Sequence, residues 1–550
     1  MRTLMIAMMA PLAAAPASDV PPSWGRWTHW GDQGDGTYRN PILPADFSDL
    51  DVIRVGDGFY AISSTLHGSP GMAVLRSRDL VNWRVIGDVV PDLSAIGPEY
   101  RWDRLARHGR GVWAGSIRYH AGRFHVFFGT PDEGMYVSSA ADPAGPWTPL
   151  HQLIEGAGWD DCSALWDDDG KAYFIAARFG DGYKNYLFRM SADGRTIDRA
   201  SATLVHEGLG REANKLIKKD GWYYIVYSEH KDGIGRYVMA RRSRTPMGPY
   251  GEPRQLELAN YDDYEPNQGG IIEATPGKWF FLTHHGRQSW EGRAMSLLPV
   301  VWRDGWPMIG DPDPARAGAM VWHWPKPIPS KRPADLGLSD DFAKPVLQPQ
   351  WEWNQQPRAD HWSLTERPGW VRLRAWPQLV AGDLRKTGNF LGQRSYRTTA
   401  NSVTAKFDLT RMTDGQHAGL AHVSEAYAAI GVVQLGTARR VEFRTPAGAI
   451  DIAAVARPVI WLRTSWGVDG LARYSYSGDG RVFLPAGSPY RMTHADYRGD
   501  RVGVYTYNNR ADQGSVDVDS FAYDQPLARP RPIMPCPPHN VVSRPVRVPQ

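Results

Sequence analysis

Much is excluded by what this 550-residue chain has little of. It carries two cysteines, Cys162 and Cys536. Cys536 lies in the Pro-rich stretch PRPIMPCPPH and Cys162 at the start of an apolar, strand-like run, so two free thiols are expected rather than a disulfide framework. There is no Lys/Arg block, and a net charge of +4 is small for this length, which argues against a nucleic-acid partner. Beyond the N-terminus no stretch reaches the roughly 18 apolar residues of a membrane helix. A compact calcium-binding loop is also absent, so a structural calcium has no clear site and no cofactor is expected to be required.

What is abundant is Trp (23), Gly (56) and Pro (43), a mix that suggests many short strands joined by tight turns. The first residues, MRTLMIAMMAPLAAAPASDV, combine Arg2, an apolar run from Leu4 to Ala14 and the small-residue site Ala15–Ala17. Residues 1–17 read as a signal peptide, and export to the periplasm or medium is expected.

A loose internal repeat organises the next three hundred residues. A turn glycine followed by an aromatic-rich strand occurs in GDGFYAISS, HAGRFHVFFG, DDGKAYFIAA, KDGWYYIVYS and TPGKWFFLTH, with glycines at 58, 122, 170, 221 and 277. A second hairpin follows each copy. Five units of four strands predict a five-bladed β-propeller over residues 37–325, an architecture that leaves only short strand edges. The competing reading is an irregular β-sandwich with accidental spacing.

Counting back nine residues from each turn glycine gives Asp49, Trp113, Asp161, Glu212 and Gln268. In a propeller the first strand of each blade lines the central channel, so these positions should converge on one axis. Asp before a strand is also an ordinary turn residue, and Asp46 and Asp51 are read as solvated or capping. Two carboxylates across a pocket are the minimal kit for glycoside hydrolysis, one protonating the leaving oxygen and the other activating water or attacking the sugar. A third carboxylate nearby raises the pKa of the acid. Trp113 offers an apolar face for a sugar ring.

The segments YRNPILPADFSDLDVIRVGDGFY, GWDDCSALWDDDGKAYF, REANKLIKKDGWYYI and GRAMSLLPVVWRDGWPMIG resemble glycoside hydrolase family 43, the β-xylosidase and α-L-arabinofuranosidase family of five-bladed propellers. LSDDFAKPVLQPQWEWNQQPRADHWSL is similar to the concanavalin-like β-sandwich appended to its β-xylosidase-type members. In order, the resemblance runs from Tyr38 to Ala522. It implies an inverting mechanism with an Asp base, a Glu acid and a second Asp that tunes the acid. Asp49 takes the base position, with Leu50 where the family has proline. Asp161 in DCSALWDDDG matches the tuning residue, with Asp160 a rival one residue away. Glu212 in EANKLI matches the acid, with Ala213 in place of glycine, and Arg293 in GRAM matches an arginine that contacts substrate hydroxyls. Many members carry a channel histidine near the fifth blade beside a cation or water. Here Gln268 in PNQGGII holds that register, while His284 and His285 are read as strand or loop residues.

After the connector VWHWPKPIPSKRPADLGLSDDF the blade repeat ends and short alternating strands such as NSVTAKFDL and RVGVYTYN take over, so residues 335–524 are expected to form a β-sandwich that binds carbohydrate or buttresses the pocket. Residues 525–550 form a Pro-rich tail, an extended strap or disordered. The chain is thus expected to be all-β and to release terminal β-D-xylose or α-L-arabinofuranose from hemicellulose-derived oligosaccharides. Asp49, Glu212 and Asp161 would be catalytic, and Trp113, Arg293 and Gln268 would bind substrate. The alternative is a non-catalytic carbohydrate-binding propeller. An oligosaccharide is the expected partner, with no nucleic acid or membrane; oligomeric state is not legible.

Overall fold

The computed structural model describes residues 30–231, 235–258, 268–286, 289–330, 336–495 and 497–526. The expected signal peptide, Cys536 and residues 527–550 of the tail lie outside them. Apart from single turns of 3-10 helix, the described residues form strands and their connections.

Five antiparallel sheets follow one another along the chain, four of four strands and the last of four joined by a fifth from the N-terminal side. Blade 1 spans Asp51–Val55, Gly58–Ser63, Gly71–Ser77 and Trp83–Val90; the first strands of blades 2 to 5 are Gly115–His120, Trp159–Trp166, Glu212–Lys219 and Gly269–Thr275. These first strands touch in a closed ring, the fifth returning to the first. The ring is locked by the strand Leu43–Asp46, which pairs with Ala294 and Met295 of blade 5. The chain then crosses directly into blade 1, and Asp49 sits in that crossing.

The turn glycines behave as expected in blades 2 to 5, with Gly122, Gly170, Gly221 and Gly277 all left-handed (φ 71–79°). Blade 1 is one residue out of step. Its left-handed turn glycine is Gly56 (φ 61°), and Gly58 already stands in the second strand opposite Val55. The slip does not displace the candidate carboxylates, because β-bulges interrupt the first strands of blades 3 and 4, between Asp160 and Ser163 and between Glu212 and Lys215. A bulge re-aims the side chains around it, and these two lie at the end of the strands where the pocket opens.

The sandwich consists of an eight-stranded and a seven-stranded sheet. It is joined to the propeller through the backbone, because Gly68–Ser69 of blade 1 pairs with Trp353 and Asn354 and so extends the larger sheet. One apolar core runs through both domains, with Phe47 and Trp83 from the propeller packed in the same cluster as Trp351, Trp353 and Leu391. The far face of the eight-stranded sheet is filled by its own chain. Leu384 and Phe390 pack there on Tyr427, Tyr505 and Tyr507, and a Cβ at Gly431 would lie 2.5 Å from the Tyr505 Oη. The Pro-rich connector is likewise built in, with His323–Pro325 pairing with Thr37–Arg39 and Lys326 buried against Asp32 and Asp79.

Candidate active site

At the mouth of the ring lies a pocket of about 280 Å³ lined by Asp49, Trp113, Asp161, Glu212, Gln268 and Arg293, all six residues singled out from the sequence. Blades 1 to 5 each contribute. Arg236, Asp160, Phe179, Tyr183, Leu66 and Ala114 complete the propeller side, and Tyr497 reaches in from the sandwich.

Asp49 is buried, with a left-handed backbone (φ 58°) that turns its carboxylate away from the strand direction. Arg293 grips it bidentately, Nη1 to Oδ1 at 2.6 Å and Nη2 to Oδ2 at 3.0 Å, and the Ser48 hydroxyl donates to Oδ2 at 3.1 Å. Burial pushes the carboxyl up, but the guanidinium and the hydroxyl outweigh it, so Asp49 is held below the usual carboxylate range and is ionised. His284, at the end of the second strand of blade 5, fixes the Asp49 backbone. Burial, followed by Arg293, pushes its ring down to about 3, so the imidazole is neutral and Nδ1 accepts from the Asp49 N–H at 2.8 Å. His284 is a strand residue as expected, but one that positions the first carboxylate, a role the sequence reading did not give it.

Glu212 occupies the opposite environment. Among the described residues its ion-pair partner is Arg236, Nη2 to Oε1 at 2.6 Å. Burial in the pocket raises its pKa, Arg236 lowers it, and Asp161 and then Asp49 raise it again, leaving it at about 7. A carboxyl poised there is protonated for a substantial fraction of the time near neutrality, as a general acid requires. Arg236 carried no signal in the sequence. It lies on the third strand of blade 4, paired opposite His230, and reaches over the second strand to Glu212. Gly210 allows that approach: it is left-handed (φ 64°), and a Cβ there would lie 2.7 Å from the His230 Cβ.

Asp161 sits between them, inside the blade 3 bulge (φ 47°). Its Oδ2 accepts from the Ala213 N–H at 2.7 Å and its Oδ1 from the Gln268 amide at 2.8 Å. It thus grips the residue next to Glu212. Burial and Asp49 push its own pKa up. Gln268, expected to bind substrate, spends its amide on Asp161. Trp113 keeps a face toward the pocket, flanked by Phe179 (ring centroids 5.9 Å apart) and Tyr497 (6.2 Å). Tyr497 is left-handed (φ 68°) and half-exposed, and Arg293 lies over its ring and donates to its carbonyl oxygen at 3.3 Å.

Two expectations are corrected here. Asp46 and Asp51 are neither solvated nor simple caps. Asp51 is buried below the pocket, accepts from the Ile117 N–H at 3.0 Å and pairs with Arg118 at 2.5 Å. Asp46 is buried between the domains, where its carboxylate accepts from Arg501 of the sandwich at 3.0 Å and from the Arg293 backbone N–H at 3.2 Å. Neither could have been placed from local pattern, since their partners lie 67 and 455 residues away.

Two basic side chains, Arg118 and Lys215, stand below the pocket. Lys215 donates to the Gly115 carbonyl at 3.1 Å. Among the described residues no three His, Cys, Asp or Glu side chains group to hold a metal.

The chain matches the family model Glycosyl hydrolases family 43 over residues 38–307 and the Beta xylosidase C-terminal Concanavalin A-like domain over 339–524. It is similar to a beta-xylosidase of Formosa agariphila, 35% identical over 544 residues that cover 90% of this chain and 91% of that protein. It is similar to a non-reducing end alpha-L-arabinofuranosidase, BoGH43B, of Bacteroides ovatus, 28% identical over 418 residues covering 72% and 75% of the two chains. The crystal structure of the GH43 BlXynB protein from Bacillus licheniformis shares the fold, with a TM-score of 0.75 at 24% identity over 88% of this chain and 99% of that one. The chain belongs to glycosyl hydrolase family 43, as a propeller glycosidase carrying the concanavalin-like C-terminal domain.

Proposed function

We propose that this glycosidase is exported and removes single pentoses, β-D-xylose or α-L-arabinofuranose, from the non-reducing ends of hemicellulose-derived oligosaccharides, with inversion at the anomeric carbon. The observation that carries the reading is the split between two carboxyls facing one pocket: Asp49 is held ionised by Arg293, whereas Glu212 is raised to about 7. That is the division of labour a base and an acid need.

In this reading a water lies between Asp49 and the anomeric carbon. Asp49 takes its proton as the oxygen attacks, the glycosidic bond breaks, and Glu212 gives its proton to the departing oxygen, so the two carboxyls exchange charge states over one turnover. Asp161 raises Glu212 electrostatically and grips the backbone beside it. Trp113 stacks on the sugar, and Arg293 orients Asp49 at the edge of the substrate. Tyr497 walls one side of the pocket, an arrangement suited to a chain end rather than a chain interior. The relatives named above for xylose and for arabinofuranose release both accord with this substrate class.

The test is release of nitrophenol from nitrophenyl β-D-xyloside and nitrophenyl α-L-arabinofuranoside, with the first-formed anomer read by NMR. Turnover of at least one substrate with the inverted anomer appearing first is expected. No turnover of either, or first formation of the retained anomer, would overturn the reading.

A further inference from the structure

A fourth carboxyl faces the same pocket and has no task in the mechanism. Asp160 precedes Asp161 in blade 3 and lines the cavity beside Trp113 and Glu212. Its Oδ1 is buried and accepts no hydrogen bond from the described residues. It is packed against Gly129 of blade 2 so closely that a Cβ at 129 would lie 3.1 Å from both the Asp160 Cα and Oδ1. Among the described residues, the cations in and below the pocket are engaged elsewhere: Arg293 with Asp49, Arg236 with Glu212, and Lys215 with the Gly115 carbonyl. The carboxylates of Asp161, Glu212 and Asp49 oppose a further negative charge there, against which the Asp161 backbone N–H is the group that favours one.

An orphaned buried polar atom in a folded protein asks for a reason, because leaving it unmade costs stability. A carboxylate at 160 would place charge on an oxygen without a donor. A neutral carboxylic acid lowers that cost without removing it: Oδ1 becomes an uncharged carbonyl oxygen against Gly129, and a proton on Oδ2 is left for the pocket that Asp160 lines. Burial and then the adjacent Asp161 push the Asp160 pKa well above the usual carboxylate range, in agreement with that geometry.

We infer that Asp160 is a substrate-binding residue that works as a neutral acid, donating a hydrogen bond from Oδ2 to a hydroxyl oxygen of the bound sugar. It is neither base nor proton donor in the reaction, so no bond to hydrogen breaks. The inference rests on the pocket being the sugar site. It also gives a reason for the two consecutive aspartates: one faces Glu212 through the Ala213 backbone, and the other faces the ligand.

The test compares Asp160→Asn, which keeps a donor of similar shape, with Asp160→Leu, which cannot donate, using the nitrophenyl glycoside that the wild type turns over. Asn should leave KM within about threefold, whereas Leu should raise KM about tenfold, the size of one hydrogen bond to a neutral partner. Because the orphaned oxygen is removed, Leu should also raise the thermal midpoint. A structural residue would do the reverse, lowering the midpoint with KM unmoved. An unchanged KM in Asp160→Leu, equal losses in the two variants, or a Leu variant that melts below the wild type would each overturn the inference. Failure of the wild type on every glycoside would instead overturn the reading of the pocket as a sugar site.

Discussion

Glu212, half-buried in the pocket, and Glu352, buried in the sandwich, both lie within ion-pairing reach of arginine, and the protein drives them in opposite directions. Glu352, in the sandwich, is fully enclosed and meets Arg394, Arg498 and Arg501; Arg501 Nε donates to it at 2.9 Å and Arg394 approaches at 2.7 Å. Burial raises its carboxyl, but the three guanidiniums overwhelm that and hold it far below its ordinary range. Glu212 has one arginine and two neighbouring aspartates, and ends near 7. The difference is a matter of local charge balance. At the domain boundary cations outnumber carboxylates, and the network fixes geometry; in the pocket carboxylates outnumber cations, and a proton is held for use. The two regions are mechanically linked, since Arg501 also binds Asp46, which in turn accepts from the backbone of Arg293, the residue that grips Asp49. The sandwich therefore buttresses the pocket.

The comparison can be broken most severely at the acid. Glu212→Gln should slow hydrolysis of a natural xylo-oligosaccharide by about 10²–10⁴-fold, the range for a lost general acid. The loss on a nitrophenyl glycoside should be much smaller, because that leaving group departs with little protonation. Equal losses on both would remove Glu212 from its role. In stability the order should reverse. Glu352→Gln leaves three buried arginines without their carboxylate and should cost about 3–5 kcal/mol in a denaturant titration, the scale for breaking a buried ion pair. Glu212→Gln should cost little or stabilise.

The pH dependences should also oppose one another. Between the ordinary glutamate value of 4.5 and about 7, folded Glu212 holds a proton that the unfolded chain has released, so its contribution makes stability fall as pH rises through that window. Thermal midpoints of Glu212→Gln should gain on the wild type from pH 4.5 to 7. For Glu352 the folded value is depressed, so its contribution is present above pH 4.5 and is lost on acidification. The gap between the wild type and Glu352→Gln should accordingly narrow as pH falls below 4.5. The smallest effect concerns Ala213, which is left-handed (φ 64°) where the family pattern has glycine. Ala213→Gly should relieve backbone strain of about 1 kcal/mol and raise the thermal midpoint with activity retained.

The propeller was legible because its signal is local and repeated: a turn residue that adopts φ > 0, then an aromatic strand. The same repetition brought Asp49, Trp113, Asp161, Glu212 and Gln268 to one pocket even though blade 1 is out of step by one. Arg236, His284 and Tyr497 were not found. Arg236 and His284 act from second or third strands, where no repeat aligns them, and Tyr497 comes from another domain some two hundred residues after Arg293. Asp46 was misread for a related reason. A lone aspartate before a strand looks like a cap unless its arginine is known, and here that arginine lies in the other domain.

Glu212 as the acid, kept protonated by burial with help from Asp161, stands or falls on one comparison. That comparison is kcat/KM against pH for the wild type and Asp161→Asn, on an unactivated xylo-oligosaccharide. The acid must be protonated, so the alkaline limb reports Glu212 and is expected near pH 7 in the wild type. Removing the Asp161 charge removes one of the influences that raise Glu212, so the limb should move to lower pH in the variant. A limb that stays in place, or moves to higher pH, would contradict the account.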